Sequence, residues 1–230
     1  MKTVKSIFSA LSEIAFPEVC ICCGFPPVPT GSILCTWCRE ERFEQSEYPS
    51  EEMVPNSVAS LFALWNFDKG GYLQELMHQL KYHHMERLGR ELGVQMALEM
   101  PSAFRELAEN GGAAPLLIPV PIHRSKLRKR GYNQSRVIAE GIASVTGWEI
   151  IEDEFLIRLR NTGSQTGLSR EQREANVRNS FQIPESARLH NRRGVIVDDV
   201  FTTGATVFEL AESVHLHSGK RVMVTAVARA

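Results

Sequence analysis

Several things are scarce in this sequence, and each scarcity closes a class of function. No apolar run approaches the roughly 20 residues that span a bilayer, so the chain reads as soluble, with no membrane span. Lys and Arg number 26 against 27 Asp and Glu, and the formal charge of −1 excludes binding of nucleic acid through the overall field of the molecule. Any such binding has to come from a local patch. Neither the Walker spacing nor the dinucleotide pattern G-x-G-x-x-G occurs. Cysteines are few, five in all, and every one falls within the first 42 residues. The N-terminus has the charge of a signal peptide without its apolar core, because Ile7, Phe8, Leu11, Ile14 and Phe16 are interrupted by Ser6, Ser9, Ser12 and Glu13. That spacing predicts a short amphipathic helix packed on the body. A cytoplasmic location is the expectation, and there paired cysteines point to metal rather than disulfides.

What is present suits one α/β domain with a small appendage: 230 residues, 43% hydrophobic and 23% charged. Residues 1–43 hold the N-terminal helix and the cysteines, residues 44–57 read as an acidic linker, and residues 58–230 form the main domain. Within it, Val58–Phe67 reads as a strand, and Tyr72–Tyr82 and Met85–Met100 read as helices ended by Pro101. A buried strand at Leu116–Val120 meets a basic turn, His123–Arg130, before a helix from Asn133 to Val145. A strand region near Phe155–Leu159, a polar run and a charged helix near Arg170–Val177 follow. The chain closes with the strand Val195–Val200, the helix Ala205–His217 and the strand Arg221–Ala228. Strands alternating with helices predict an open, mostly parallel sheet with helices on both faces, and ligands in such sheets bind beyond the carboxyl ends of the strands.

One junction carries most of the chemistry. Val195, Ile196 and Val197 suit a strand buried on both faces, and Asp198 and Asp199 stand at its end, where two adjacent acids are costly unless a cation meets them. Thr202, Thr203, Gly204, Ala205 and Thr206 then offer hydroxyls, consecutive amides, a permissive glycine and the positive end of the next helix. This is a cradle for a sugar phosphate: the acids take the ribose hydroxyls, directly or through Mg²⁺, and the loop takes the 5′-phosphate. The plainer alternative makes Asp198 a turn former and Thr202 or Thr203 a helix cap.

The segment resembles the ribose-phosphate signature of type I phosphoribosyltransferases. The ordered set Cys20-x-x-Cys23, Cys35-x-x-Cys38, Leu80-Lys81-Tyr82, Pro119-Val120-Pro121-Ile122-His123, Arg130-Gly131-Tyr132-Asn133-Gln134, Gln165-x-Gly167-Leu168-Ser169 and Arg173-x-x-Asn176 is similar to the ComF family of competence-associated proteins. That resemblance implies a phosphoribosyltransferase-like fold, a cysteine-rich N-terminal module and a link to DNA uptake during natural transformation. It also implies that Pro121, Ile122, His123 and Arg124 form a loop for the pyrophosphate of phosphoribosyl pyrophosphate.

Read from the residues alone, His123, Arg124, Lys126, Arg128, Lys129 and Arg130 make a concentrated basic turn that suits pyrophosphate, a nucleic-acid backbone (Lys126, Arg128, Lys129 and Arg130) or only solvent. Tyr132 is the one nearby aromatic in sequence that offers a base a stacking partner. Asn161–Ser169, with Gly163 and Gly167, reads as a loop able to close over the sugar, with Gln165 and Arg170 the best-placed contacts. Cys20-x-x-Cys23 and Cys35-x-x-Cys38, separated by eleven residues, have the spacing of one tetrahedral structural Zn²⁺ site. Cys22 is surplus, and Cys20 is preferred as the partner of Cys23 because the two-residue gap then repeats. Two functions stay open: a phosphoribosyltransferase using Mg²⁺, and a non-catalytic DNA-uptake factor whose pocket is a sensor and whose partner is single-stranded DNA or a helicase-like DNA-uptake protein.

Overall fold

The computed structural model describes residues 19–25, 28, 32–46, 54–110, 113–152, 157–158, 181–182, 189 and 192–230. The expected N-terminal helix, the loop with Gln165 and Arg170 and the charged helix near 170–177 lie outside those residues. The elements are α1 (Thr36–Glu40), β1 (Val58–Asn66), α2 (Tyr72–Tyr82), α3 (Glu86–Glu99), α4 (Ser102–Glu109), β2 (Leu116–Pro119), α5 (Arg124–Arg130), α6 (Gln134–Thr146), β3 (Glu149–Ile150), β4 (Ile157–Arg158), β5 (Phe181–Gln182), β6 (Gly194–Phe201), α7 (Ala205–Ser218) and β7 (Val222–Arg229).

Five strands form one sheet in the order β1-β7-β6-β2-β3, with every neighbouring pair parallel. Its central strands are apolar because both faces are covered. Val195 and Val197 of β6 look into a core shared with α2, α3 and α6, while Ile196 looks into a second core shared with α7. Alternate side chains of one strand thus feed opposite layers, as a continuous Val-Ile-Val run requires. β4 and β5 make a separate two-residue antiparallel pair.

Three elements differ from the sequence reading. The basic turn is a seven-residue helix, α5, capped at its start by the His123 ring, which accepts from the Ser125 amide, and ended by Gly131 at φ 80°. None of its residues is buried, so no apolar period marks it as a helix in the sequence. Pro101 ends α3 and also opens α4, whose Phe104 and Ala108, four residues apart, are buried. The β3 edge strand is two residues long, too short for a pattern.

The largest helix pair, α3 against α6, is a glycine contact. A Cβ on Gly93 would lie 2.0 Å from the Ile138 carbonyl oxygen, and one on Gly141 would lie 2.1 Å from the Arg90 carbonyl oxygen. The two backbones touch, and only glycine permits it. The cysteine segment shares this side of the molecule. Cys20, Leu34, Cys38 and Phe43 belong to the same core as Leu73, Leu76 and Leu80 of α2. Glu91 on α3 accepts hydrogen bonds from the amides of Ile33 (2.6 Å) and Leu34 (3.2 Å) and from the Ser32 hydroxyl. At the start of the acidic stretch, Gln45 bridges to Trp65 of β1.

Candidate ligand site and metal centre

β6 runs through the middle of the sheet and delivers Asp198 and Asp199 to its carboxyl end, still within the strand. The Asp199 amide donates to Asp198 Oδ1 at 2.9 Å, and Ser135 Oγ, in the first turn of α6, donates to the same oxygen at 3.2 Å. Burial pushes the Asp198 carboxyl up to about 8, and repulsion from Asp199 adds to it. The cation that two neighbouring acids demand is Lys81, the penultimate residue of α2, whose Nζ lies 2.6 Å from Asp199 Oδ2. Lys81 and Asp199 side chains are 25% and 14% exposed, so the pair is largely shielded from water.

Beyond β6, Thr202 and Thr203 are exposed, and Gly204 takes the left-handed conformation at φ 74°. A Cβ there would also meet the Phe208 ring at 2.4 Å, so the position is closed to other residues on both counts. Gly204 is the N-cap of the 14-residue α7, and no side chain caps it. The cap position is thus Gly204 rather than Thr202 or Thr203, and among the described residues no side-chain cap is seen at the first amides of α7. This is the arrangement in which a helix start accepts an anion.

β2 lies directly beside β6, with Pro119 opposite Val197, so residues 120–124 leave the sheet at the same end as the acid pair. Asn133 Nδ2 donates to the Val120 carbonyl at 3.1 Å and ties the start of α6 to that exit. Pro121, Ile122, His123 and Arg124 thus flank the end of the sheet that carries Asp198. The cations Lys126, Arg128, Lys129 and Arg130 follow on α5.

The four cysteines Cys20, Cys23, Cys35 and Cys38 bring their sulfur atoms within 4.8 Å of one another. Cys23 Sγ and Cys35 Sγ are 3.8 Å apart, far beyond a disulfide bond of about 2.05 Å. Four thiolates at about 2.3 Å from one ion in a tetrahedron have sulfur edges of about 3.8 Å. The amides of Cys35 and Cys38 donate to the sulfurs of Cys20 (3.3 Å) and Cys35 (3.4 Å), which favours thiolates. Burial raises the Cys38 thiol, so its ionised form calls for a cation. The cluster can hold a metal ion. Cys22 is half-buried and lies outside the set.

No protein-family model matches this sequence. Curated relatives do. The DNA utilization protein YhgH of Shigella flexneri is 31% identical over 158 residues, 68% of this chain and 67% of that protein. Its counterpart in Escherichia coli strain K12 is 30% identical over the same shares. Competence protein F of Haemophilus influenzae is 32% identical over 117 residues, half of each chain. The chain belongs to the ComF family.

Two of the motifs that carry the ComF resemblance, Leu80-Lys81-Tyr82 and Arg130-Gly131-Tyr132-Asn133-Gln134, meet each other, and the first reaches the acid pair. Lys81 of Leu80-Lys81-Tyr82 holds Asp199, and the Leu80 carbonyl accepts from the Tyr132 hydroxyl. Lys81, Ser135 and Tyr82 were not picked out from the sequence as site residues. The demand for a cation at Asp198-Asp199 was legible, but its supplier lies more than a hundred residues away. Among the described residues no helix is long and apolar enough to cross a membrane.

Proposed function

We propose that this ComF-family chain is a cytoplasmic protein of DNA utilisation that binds phosphoribosyl pyrophosphate, or a related sugar phosphate, at the end of β6. The observation that carries the reading is the partly buried Asp198-Asp199 pair followed, after Val200–Thr203, by a left-handed glycine at the start of a 14-residue helix. Acids of this kind suit vicinal ribose hydroxyls and the amide-rich turn suits a phosphate, and one short segment offers both. An all-oxygen donor pair in a position that already attracts an ammonium group also fits Mg²⁺, which Asp198 and Asp199 would hold and which would neutralise pyrophosphate charge. Thr202, Thr203, Gly204, Ala205 and Thr206 hold the 5′-phosphate, and Pro121–Arg124 flank the pyrophosphate. Gln165 and Arg170, outside the described residues, complete the proposal as the covering loop. A Zn²⁺ ion held by Cys20, Cys23, Cys35 and Cys38 would fill its four positions with sulfur and serve the fold rather than the chemistry.

The reaction such a site supports is transfer of the phosphoribosyl group: the bond from ribose C1 to pyrophosphate breaks, pyrophosphate leaves, and a nucleophile bonds to C1, with the protein orienting the sugar and excluding water. The test is calorimetry with Mg²⁺ and phosphoribosyl pyrophosphate. Binding is expected in the wild type, weaker binding with ribose 5-phosphate, and a marked loss in Asp199→Asn with the fold intact. Thr206→Val should cost roughly 1.5–3 kcal/mol, the price of a hydrogen bond to a charged group. Equal binding to wild type and Asp199→Asn refutes the site. The second reading, a non-catalytic contact with DNA, is favoured by the exposed cations of α5 and by the names of the relatives, a DNA utilization protein and a competence protein.

A further inference from the structure

α2 carries an aromatic–cation cluster at each end, and the two differ. At its first turn the Arg42 guanidinium lies 4.4 Å from the Trp37 ring and 3.9 Å from the Tyr72 ring. That contact joins the cysteine segment to the helix and leaves the guanidinium engaged by two rings of the protein itself. At the last turn the cluster faces outward. Tyr82 is 47% exposed, and the His78 ring, also on the surface, lies 4.7 Å from it. His83 extends the set, 5.8 Å from His78.

The same turn meets α5. Arg130 Cζ and Lys129 Nζ lie 5.4 and 5.8 Å from the Tyr82 centroid. Every residue of α5 keeps some exposure, and Lys126, Arg128 and Lys129 form no ion pair among the described residues. The sequence placed only Tyr132 near these cations. The fold buries Tyr132 and brings Tyr82 in its place, across about 50 residues of chain.

We infer that the face formed by the last turn of α2 and by α5 is a binding site for single-stranded nucleic acid, with unpaired bases stacking on Tyr82 and His78 and phosphates meeting Lys126, Arg128 and Lys129. Exposed rings interleaved with unpaired cations are the two components such sites require. A duplex keeps its bases from the rings. A lipid surface would want apolar side chains among the cations, and α5 has only Leu127. The inference rests on the DNA-utilisation reading and adds the residues that make the contact.

The test is fluorescence anisotropy of a labelled oligothymidylate on the full chain, at several salt concentrations. Tyr82→Leu is expected to weaken binding roughly 5- to 150-fold, the range for losing one stacked base, while Tyr82→Phe stays within about twofold. Lys126→Gln with Lys129→Gln should flatten the slope of log affinity against log salt by about 1.4, two phosphate contacts on a single strand. Matched circular dichroism melting curves show whether each variant is folded. Binding retained in Tyr82→Leu, or lost equally in Tyr82→Phe, overturns the location and leaves a DNA role standing. Equal affinity for a duplex, or for polyglutamate with the same Tyr82 dependence, overturns the ligand class. Absence of oligonucleotide binding overturns the inference outright, while binding of phosphoribosyl pyrophosphate, measured separately, would be untouched.

Discussion

Lys81→Met removes the ammonium group from the acid pair while leaving an unbranched stem of similar length against α2. Lys81 Nζ lies 2.6 Å from Asp199 Oδ2, both side chains are mostly shielded, and Asp198 beside them holds its proton to about pH 8. Lys81 thus brings a positive charge to the negative charge of the pair. Removing the positive one leaves a carboxylate without a partner, which in a buried setting costs about 3–5 kcal/mol. The loss has a ceiling, because the site can take up a proton. Protonating an ordinary carboxyl costs about 1.4 kcal/mol for each pH unit above 3.9, which is about 4 kcal/mol at pH 7 and about 1.5 kcal/mol at pH 5. Urea denaturation at pH 5 to 8 should show the variant destabilised by close to the larger figure at pH 7, with the deficit shrinking toward the smaller one at pH 5. A deficit below about 0.5 kcal/mol would mean that the pair behaves as an exposed ion pair. A deficit that does not change with pH would refute the reasoning about proton uptake.

Asp198→Asn should remove a pH dependence: the raised carboxyl stabilises the fold fully below about pH 4, and that contribution is lost as pH rises toward and through 8, at up to about 1.4 kcal/mol per unit. Wild-type stability should thus fall over that window relative to the asparagine variant in paired denaturation curves, and parallel curves would count against a buried neutral Asp198. Elemental analysis should find about one zinc per chain, and Cys35→Ser should lose both the metal and the folding of residues 20–38; metal-free, fully folded wild type would sink this. Gly141→Ala gains helix propensity but drives a Cβ to 2.1 Å from the Arg90 carbonyl, so a net loss of about 2 kcal/mol and a Tm lower by roughly 4–8 °C is expected. A rise in Tm would show that α3 and α6 can separate at no cost.

What the sequence made legible was local. The strand that ends in two acids, the left-handed glycine and the following helix lie within two dozen residues, and so do the four cysteines, so their spacing already contains their geometry. Lys81, Ser135 and Tyr82 escaped for the opposite reason. Their roles exist only after α2 and α6 pack beside β6, and a lysine or tyrosine near a helix end carries no local mark of its partner. α5 escaped because its seven residues bury nothing, and a helix without a buried face leaves no period to read. The contact between Gly93 and Gly141 was hidden because a glycine inside a helix reads as a weakness until the opposing backbone is known.

The acid pair is difficult to explain by stability alone. A strand end covered by packed layers is served best by apolar or neutral residues, and here it carries one carboxyl raised by burial and a second that occupies a lysine from another helix. Each arrangement weakens the fold relative to an uncharged strand end, since desolvating charges is repaid only in part by pairing them. The neighbouring backbone repeats the pattern, because Gly204 holds a turn that another residue would find strained and the start of α7 is left without a side-chain cap. A shifted carboxyl, a bound counter-cation, a glycine-only turn and an uncapped helix start depart from fold optimisation in different ways, yet they fall within seven consecutive residues. Such departures gather where a chain binds something other than itself. A ligand that brings its own divalent cation and phosphate would satisfy all four at once, releasing Lys81 from Asp199 and filling the amides at Gly204.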